Sequence, residues 1–122
     1  MPRFMLTLEA DENGPFGEPP PELFEGIGKL AEHWGGEGAL VDTAGMAPTA
    51  MSARVRLAGG SITSSGGPFT DEKEVATAYA IVSVDSQDDA VNRATEFLEL
   101  HRQHWPVWEG TSEVRQLFGP TE

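Results

Sequence analysis

Hydrophobic positions along the chain change period several times, and each change marks an element. Arg3 to Leu8 alternates, with Phe4, Leu6 and Leu8 on one side and Met5 and Thr7 on the other, which predicts a half-buried strand. Acids, Gly and Pro fill residues 9–21 and end in Pro19-Pro20-Pro21, a loop that leads into a helix, whose first turn tolerates the missing donor. Leu23, Phe24, Ile27, Leu30, Ala31 and Trp34 then form one apolar stripe, and Gly35-Gly36 stops that helix. Leu40-Val41 suits a short strand. Ala53 to Ala58, the Gly59-Gly60 turn and Ser61 to Ser64 predict a hairpin with an exposed polar face, and Ser64 to Phe69 a loop.

Val75 to Val84 is apolar or small on both faces: Val75, Thr77, Tyr79 and Ile81 on one, Ala76, Ala78, Ala80, Val82 and Val84 on the other. A central strand covered on both sides is expected. Ser86 with Asp88 and Asp89 caps a second helix, whose stripe runs through Ala90, Val91, Ala94, Phe97, Leu98, His101 and Trp105 until Pro106 ends it. Val114 to Phe118 closes as a strand, and Gly119 to Glu122 form a tail. The order predicts one α+β domain over residues 1–122: a ferredoxin-like sandwich, an antiparallel sheet with two helices on one face. Two helices cover one face only, so a homodimer joined through the other face is expected.

Eight Lys and Arg against twenty Asp and Glu give a net charge of −12, which disfavours nucleic acid and anionic membrane surfaces as partners. Residues 39–70 hold one acid and two bases, so the acidity belongs to the outer thirds. The absence of cysteine removes disulfides, thiolate nucleophiles and Cys-ligated metals, and no apolar run nears the roughly 20 residues of a membrane span. With no signal-like apolar core at the N-terminus, a cytoplasmic protein without cofactor is the expectation.

Several residue groups carry candidate chemistry. Gly26-Ile27-Gly28-Lys29-Leu30-Ala31 matches a dinucleotide fingerprint by letter, but it lies within a helix rather than after a strand, which points to close packing. His101 and His104 are three apart on the second helix. With His101 at the centre of the apolar stripe, a core or pocket histidine is expected rather than a metal ligand. His101 is the candidate acid–base group, and His33 falls on the solvent side of its helix. Trp105 and Trp108 bracket Pro106-Val107 and suit core closure or one wall of a pocket.

Residues 62–84, ITSSGGPFTDEKEVATAYAIVSV, resemble the YCII-related, or DGPF, family. Gly67-Pro68-Phe69 and Lys73-Glu74 match its central motif, and Tyr79 takes the aromatic place of the following strand. The opening strand, Glu37 to Val41, His104 to Gly110 and Ser112 to Gln116 are similar as well. The motif's Asp is Gly66 here, and no histidine stands around Gly26-Ile27-Gly28 where related members place one. The resemblance implies a dimeric α/β-barrel, with relatives acting on small cyclic metabolites through a pocket between sheet and helices. The expected pocket comprises Gly67, Pro68, Phe69, Tyr79, His101 and Trp105, with Arg54 and Arg56 as anion contacts. Two functions follow: a small-molecule-binding or accessory homodimer, or an isomerase or dehydrochlorinase using His101 for proton transfer on a small ring compound.

Overall fold

The computed structural model describes residues 1–119; the tail expected after Gly119 lies outside the described residues. Strand β1 (Arg3–Ala10) leads to helix α1 (Pro21–Gly36) and strand β2 (Leu40–Gly45). A short 3-10 turn at Thr49–Met51 precedes the hairpin of β3 (Ala53–Ala58) and β4 (Ser61–Gly66). Strand β5 (Val75–Ser83), helix α2 (Gln87–His104) and strand β6 (Val114–Leu117) complete the order.

The four long-range strands form an antiparallel sheet in the order β2-β5-β1-β6. With the hairpin set aside, this is the βαββαβ arrangement of a ferredoxin-like α+β fold, as the periodicities predicted. Both helices begin where the sequence places them. Pro21 stands at the start of α1, and the Ser86 hydroxyl accepts from the Asp89 N–H at 3.1 Å to cap α2. Phe4, Leu6 and Val82 from the sheet, with Val84 just after β5, pack against Trp34, Ala90 and Ala94 from the helices in the buried core. The glycine pair of α1 divides: a Cβ on Gly26 would lie 3.2 Å from Leu100 Cδ2 on α2, whereas Gly28 faces open space. Gly26 is therefore the packing residue of the two.

Three features refine or correct the expectations. Opposite Leu8 and Glu9 of β1 stand Ala78 and Ala76 of β5, which leaves Thr77 as an inserted bulge residue whose hydroxyl donates to the Leu8 carbonyl at 3.0 Å. The bulge shifts the phase of the strand, so Val75 turns to the helix side and is buried instead of sharing a face with Tyr79 and Ile81. Second, β5 is central, as expected, and within the chain the two helices cover one of its faces. On the other face Met5 stands opposite Ile81 and Thr7 opposite Tyr79, all of them half-buried.

Third, the hairpin forms as expected, in a sheet of its own, but exposes its apolar face as well as its polar one. Its turn has Gly59 and Gly60 both at positive φ (57° and 79°), the conformation a two-residue hairpin loop requires. Gly66 belongs to β4 rather than to a loop, and the apolar side chains of the hairpin are as exposed as its polar ones. No helix of the described residues is long and apolar enough to cross a membrane.

Candidate functional site: an aromatic cavity between sheet and helices

A cavity of about 520 Å³ lies between the sheet and the two helices, at the end where β1 gives way to its loop. This volume falls within the roughly 300–1,000 Å³ usual for small-molecule sites. Leu8 and Ala10 of β1, Thr77 and Ala78 of β5 and the end of β2 form its floor, and Leu23, Phe24 and Ile27 of α1 form one wall. Phe97, His101, Trp105 and Trp108 form the opposite wall, and Phe16 comes from the loop between β1 and α1. Asp11 and Glu12 are its carboxylates. Phe24 sits on the predicted apolar stripe yet is 59% exposed, because it borders the cavity rather than the core.

The aromatic wall is held by specific contacts. Trp105 Nε1 donates to the Phe16 carbonyl at 2.9 Å, and the two rings meet edge-to-face at 6.5 Å. Trp105 and Trp108 stack with centroids 6.3 Å apart, and Trp108 lies 4.4 Å from the His101 ring. Phe16 is thus tied down from a segment that reads as plain loop. An aromatic ring in a stretch of Gly, Pro and acids was its signal in the sequence.

His101 is only 4% exposed and packs between the rings of Phe97 and Trp108. Its Nδ1 lies 3.0 Å from the Phe97 carbonyl, four residues earlier on α2. A carbonyl can only accept, so this bond assigns the proton of the neutral ring to Nδ1 and leaves a lone pair on Nε2. The buried side-chain nitrogen or oxygen without a partner, among the described residues, is Trp34 Nε1. His101 Nε2 also lacks a protein partner but is not sealed in the same way, so it is open to a ligand or water.

Burial pushes the His101 pKa below its ordinary 6.5, with the Phe97 carbonyl acting weakly in the other direction. The unfolded chain therefore takes up a proton just below pH 6.5 that the folded chain refuses. Stability is full above 6.5, falls as the pH drops below it, and levels off once the folded-state pKa is passed. Glu37 and Asp71, held down by Arg93 and Arg54, add their own losses only below 4.5 and 3.8. Melting temperatures followed from about pH 7 to about pH 5 should fall in the native chain and stay nearly flat in His101→Phe. Equal slopes in the two would contradict this reading of the imidazole.

Of the expected pocket residues, His101 and Trp105 line the cavity together, and Tyr79 borders it from β5 although it stands on the open face of the sheet with Met5 and Ile81. The Tyr79 hydroxyl itself donates to Asp42 Oδ2 at 2.8 Å, and this contact with desolvation raises its pKa above 10.0. Gly67, Pro68, Phe69, Arg54 and Arg56 are not among the cavity's lining residues, which corrects the expected grouping. The Arg54 guanidinium lies 4.1 Å over the Phe69 ring and bonds to Asp71 at 3.1 Å and Glu72 at 3.4 Å. With its charge paired in this way, Arg54 is a brace for the motif turn rather than an anion contact. Arg56 is exposed on the hairpin.

The motif turn is nevertheless joined to the cavity rim. The Glu12 carboxylate accepts from the Thr49 N–H at 2.9 Å and from the Thr49 hydroxyl, and that hydroxyl accepts from the Phe69 N–H at 3.1 Å. Buried Thr49 thereby ties the loop carrying Phe16 to the Gly67-Pro68-Phe69 turn. The role of Gly67 is steric: a Cβ there would stand 1.6 Å from the Thr49 carbonyl oxygen. Among the described residues no group of three or more His, Cys, Asp or Glu is placed to hold a metal ion.

No protein-family model matches the chain, and no curated protein matches it.

Proposed function

We infer that the protein is a small-molecule-binding or accessory homodimer of the YCII-related kind, with an uncharged, largely apolar ligand seated in the aromatic cavity. The carrying observation is the cavity itself: a ligand-sized space walled by Phe16, Ile27, Phe97, Trp105 and Trp108, with one hydrogen-bonding imidazole, His101, in its lining. The two carboxylates, Asp11 and Glu12, favour a neutral ligand over an anion. The half-buried Met5, Tyr79 and Ile81 on the uncovered sheet face support pairing of two copies there. The cysteine-free composition is compatible with a cytoplasmic location.

The second reading, an isomerase or dehydrochlorinase with His101 as base, draws support from the lone pair on Nε2. A base of that kind works best with a carboxylate behind it, and His101 is instead bonded to a peptide carbonyl. The geometry therefore favours binding over proton transfer. A thermal-shift screen of neutral one- and two-ring compounds tests the reading. Hits should raise the melting temperature of the native chain and do so much less in Ile27→Trp, which fills the cavity. Equal shifts in both chains would count against the cavity as the binding place.

A further inference from the structure

The side-chain donors around the aromatic cavity are, with one exception, already committed within the chain. Thr43 donates to the Tyr79 carbonyl at 2.8 Å, and Thr77 to the Leu8 carbonyl at 3.0 Å. The Trp105 indole donates to Phe16, the His101 Nδ1–H to Phe97 and the Tyr79 hydroxyl to Asp42. The exception is the Trp108 Nε1–H, which has no protein partner among the described residues and is not sealed from solvent. The ring packed against it, His101, carries the free lone pair on Nε2. One unmatched donor and one unmatched ring acceptor therefore stand side by side in a wall that is otherwise aromatic.

The two ring centroids are 4.4 Å apart, with the planes tilted by 38°. Both rings are held. His101 is fixed by its bond to the Phe97 carbonyl, and Trp108 stacks on Trp105 while lying so close over Gly110 that a Cβ there would overlap its ring. A donor beside an acceptor matches a ligand whose own acceptor and donor sit on neighbouring atoms. A carboxylic acid has that edge only while protonated, and Asp11 and Glu12 in the lining oppose its anion. A cyclic amide has it while uncharged. We propose that the ligand of the cavity is a neutral ring compound with a cyclic-amide edge, its N–H donating to His101 Nε2 and its carbonyl accepting from Trp108 Nε1. This rests on the reading of the cavity as a site for a neutral molecule and adds the feature by which that molecule is selected. Apolar walls barely distinguish ring compounds of one shape, whereas a polar pair left unmatched on binding opposes the wrong one.

Calorimetric titration with 2-quinolone and coumarin tests the proposal, because the two share one shape and one carbonyl and differ in a ring N–H against a ring oxygen. The native chain should hold 2-quinolone at least about tenfold tighter than coumarin. His101→Phe should hold the two equally, and Trp108→Phe should weaken both while keeping their ratio. His101 and Trp108 also border a smaller hollow on the outer side of α2, beside Glu99 and Pro106. Ile27→Trp, which fills the aromatic cavity, tells the two places apart and should abolish binding of both compounds. Equal affinities in the native chain, or a preference that persists in His101→Phe or in Ile27→Trp, overturn the proposal and leave the cavity reading standing. The same holds if N-phenyl-1-naphthylamine, a neutral two-ring amine without a carbonyl, is bound and neither of the pair is. Failure of all three compounds to bind overturns the proposal and the cavity reading together.

Discussion

Gly67→Ala should lower the melting temperature by about 10 °C, corresponding to about 2–3 kcal/mol for a chain of this length. The added methyl would meet the Thr49 carbonyl carbon at 2.5 Å as well as its oxygen, and backbone cannot swing aside as a side chain does. Relief would require moving the Thr49–Met51 turn, which would break the bonds that Thr49 makes to Glu12 and to the Phe69 N–H. Loss of stability should therefore come with a looser loop at residues 11–17, seen as faster amide exchange there. Gly66→Ala is the control, because nothing lies within 4 Å of its virtual Cβ. Indistinguishable melting of the two variants would refute the latch.

Trp105→Ala should cost about 3 kcal/mol and weaken ligand binding at the same time. The change removes the stack on Trp108 and the edge contact to Phe16, and it leaves the Phe16 carbonyl without its indole donor. Trp105→Phe separates the two contributions, since it keeps an aromatic ring but not the N–H. Chemical denaturation should place it between the native chain and Trp105→Ala. A Trp105→Phe variant as unstable as the alanine would assign the whole effect to the hydrogen bond.

Elements with a single strong local cause were legible in the sequence. The Ser86 cap, the triproline entry and the alternation of Phe4, Leu6 and Leu8 each correspond to an observed helix start or buried face. Strand β2 runs to Gly45, beyond Leu40-Val41, because Asp42 to Gly45 are drawn into the sheet by pairing with β5, and pairing leaves no trace in their own periodicity. The bulge at Thr77 escaped for the same reason: a period-two pattern looks continuous across one inserted residue. At the site, the helical stripe marked His101 and Trp105 because their partners lie on the same element or just beyond it. The motif added Phe69 to that expected group, and Arg54 joined it as an anion contact near the hairpin. Their positions depend on three loops meeting at Thr49 and on the acids Asp71 and Glu72 reaching back to β3. That meeting is tertiary, and no spacing in the chain encodes it.

The central claim is that the aromatic cavity takes up a neutral, largely apolar molecule. Its most direct measurement is a fluorescence titration with N-phenyl-1-naphthylamine, an uncharged two-ring probe that brightens in apolar surroundings. Saturable enhancement with one probe per chain is expected in the native protein, with a clearly weaker response in Ile27→Trp and Trp105→Ala. Absence of saturable enhancement in the native protein, or an equal response in Ile27→Trp, would contradict the claim.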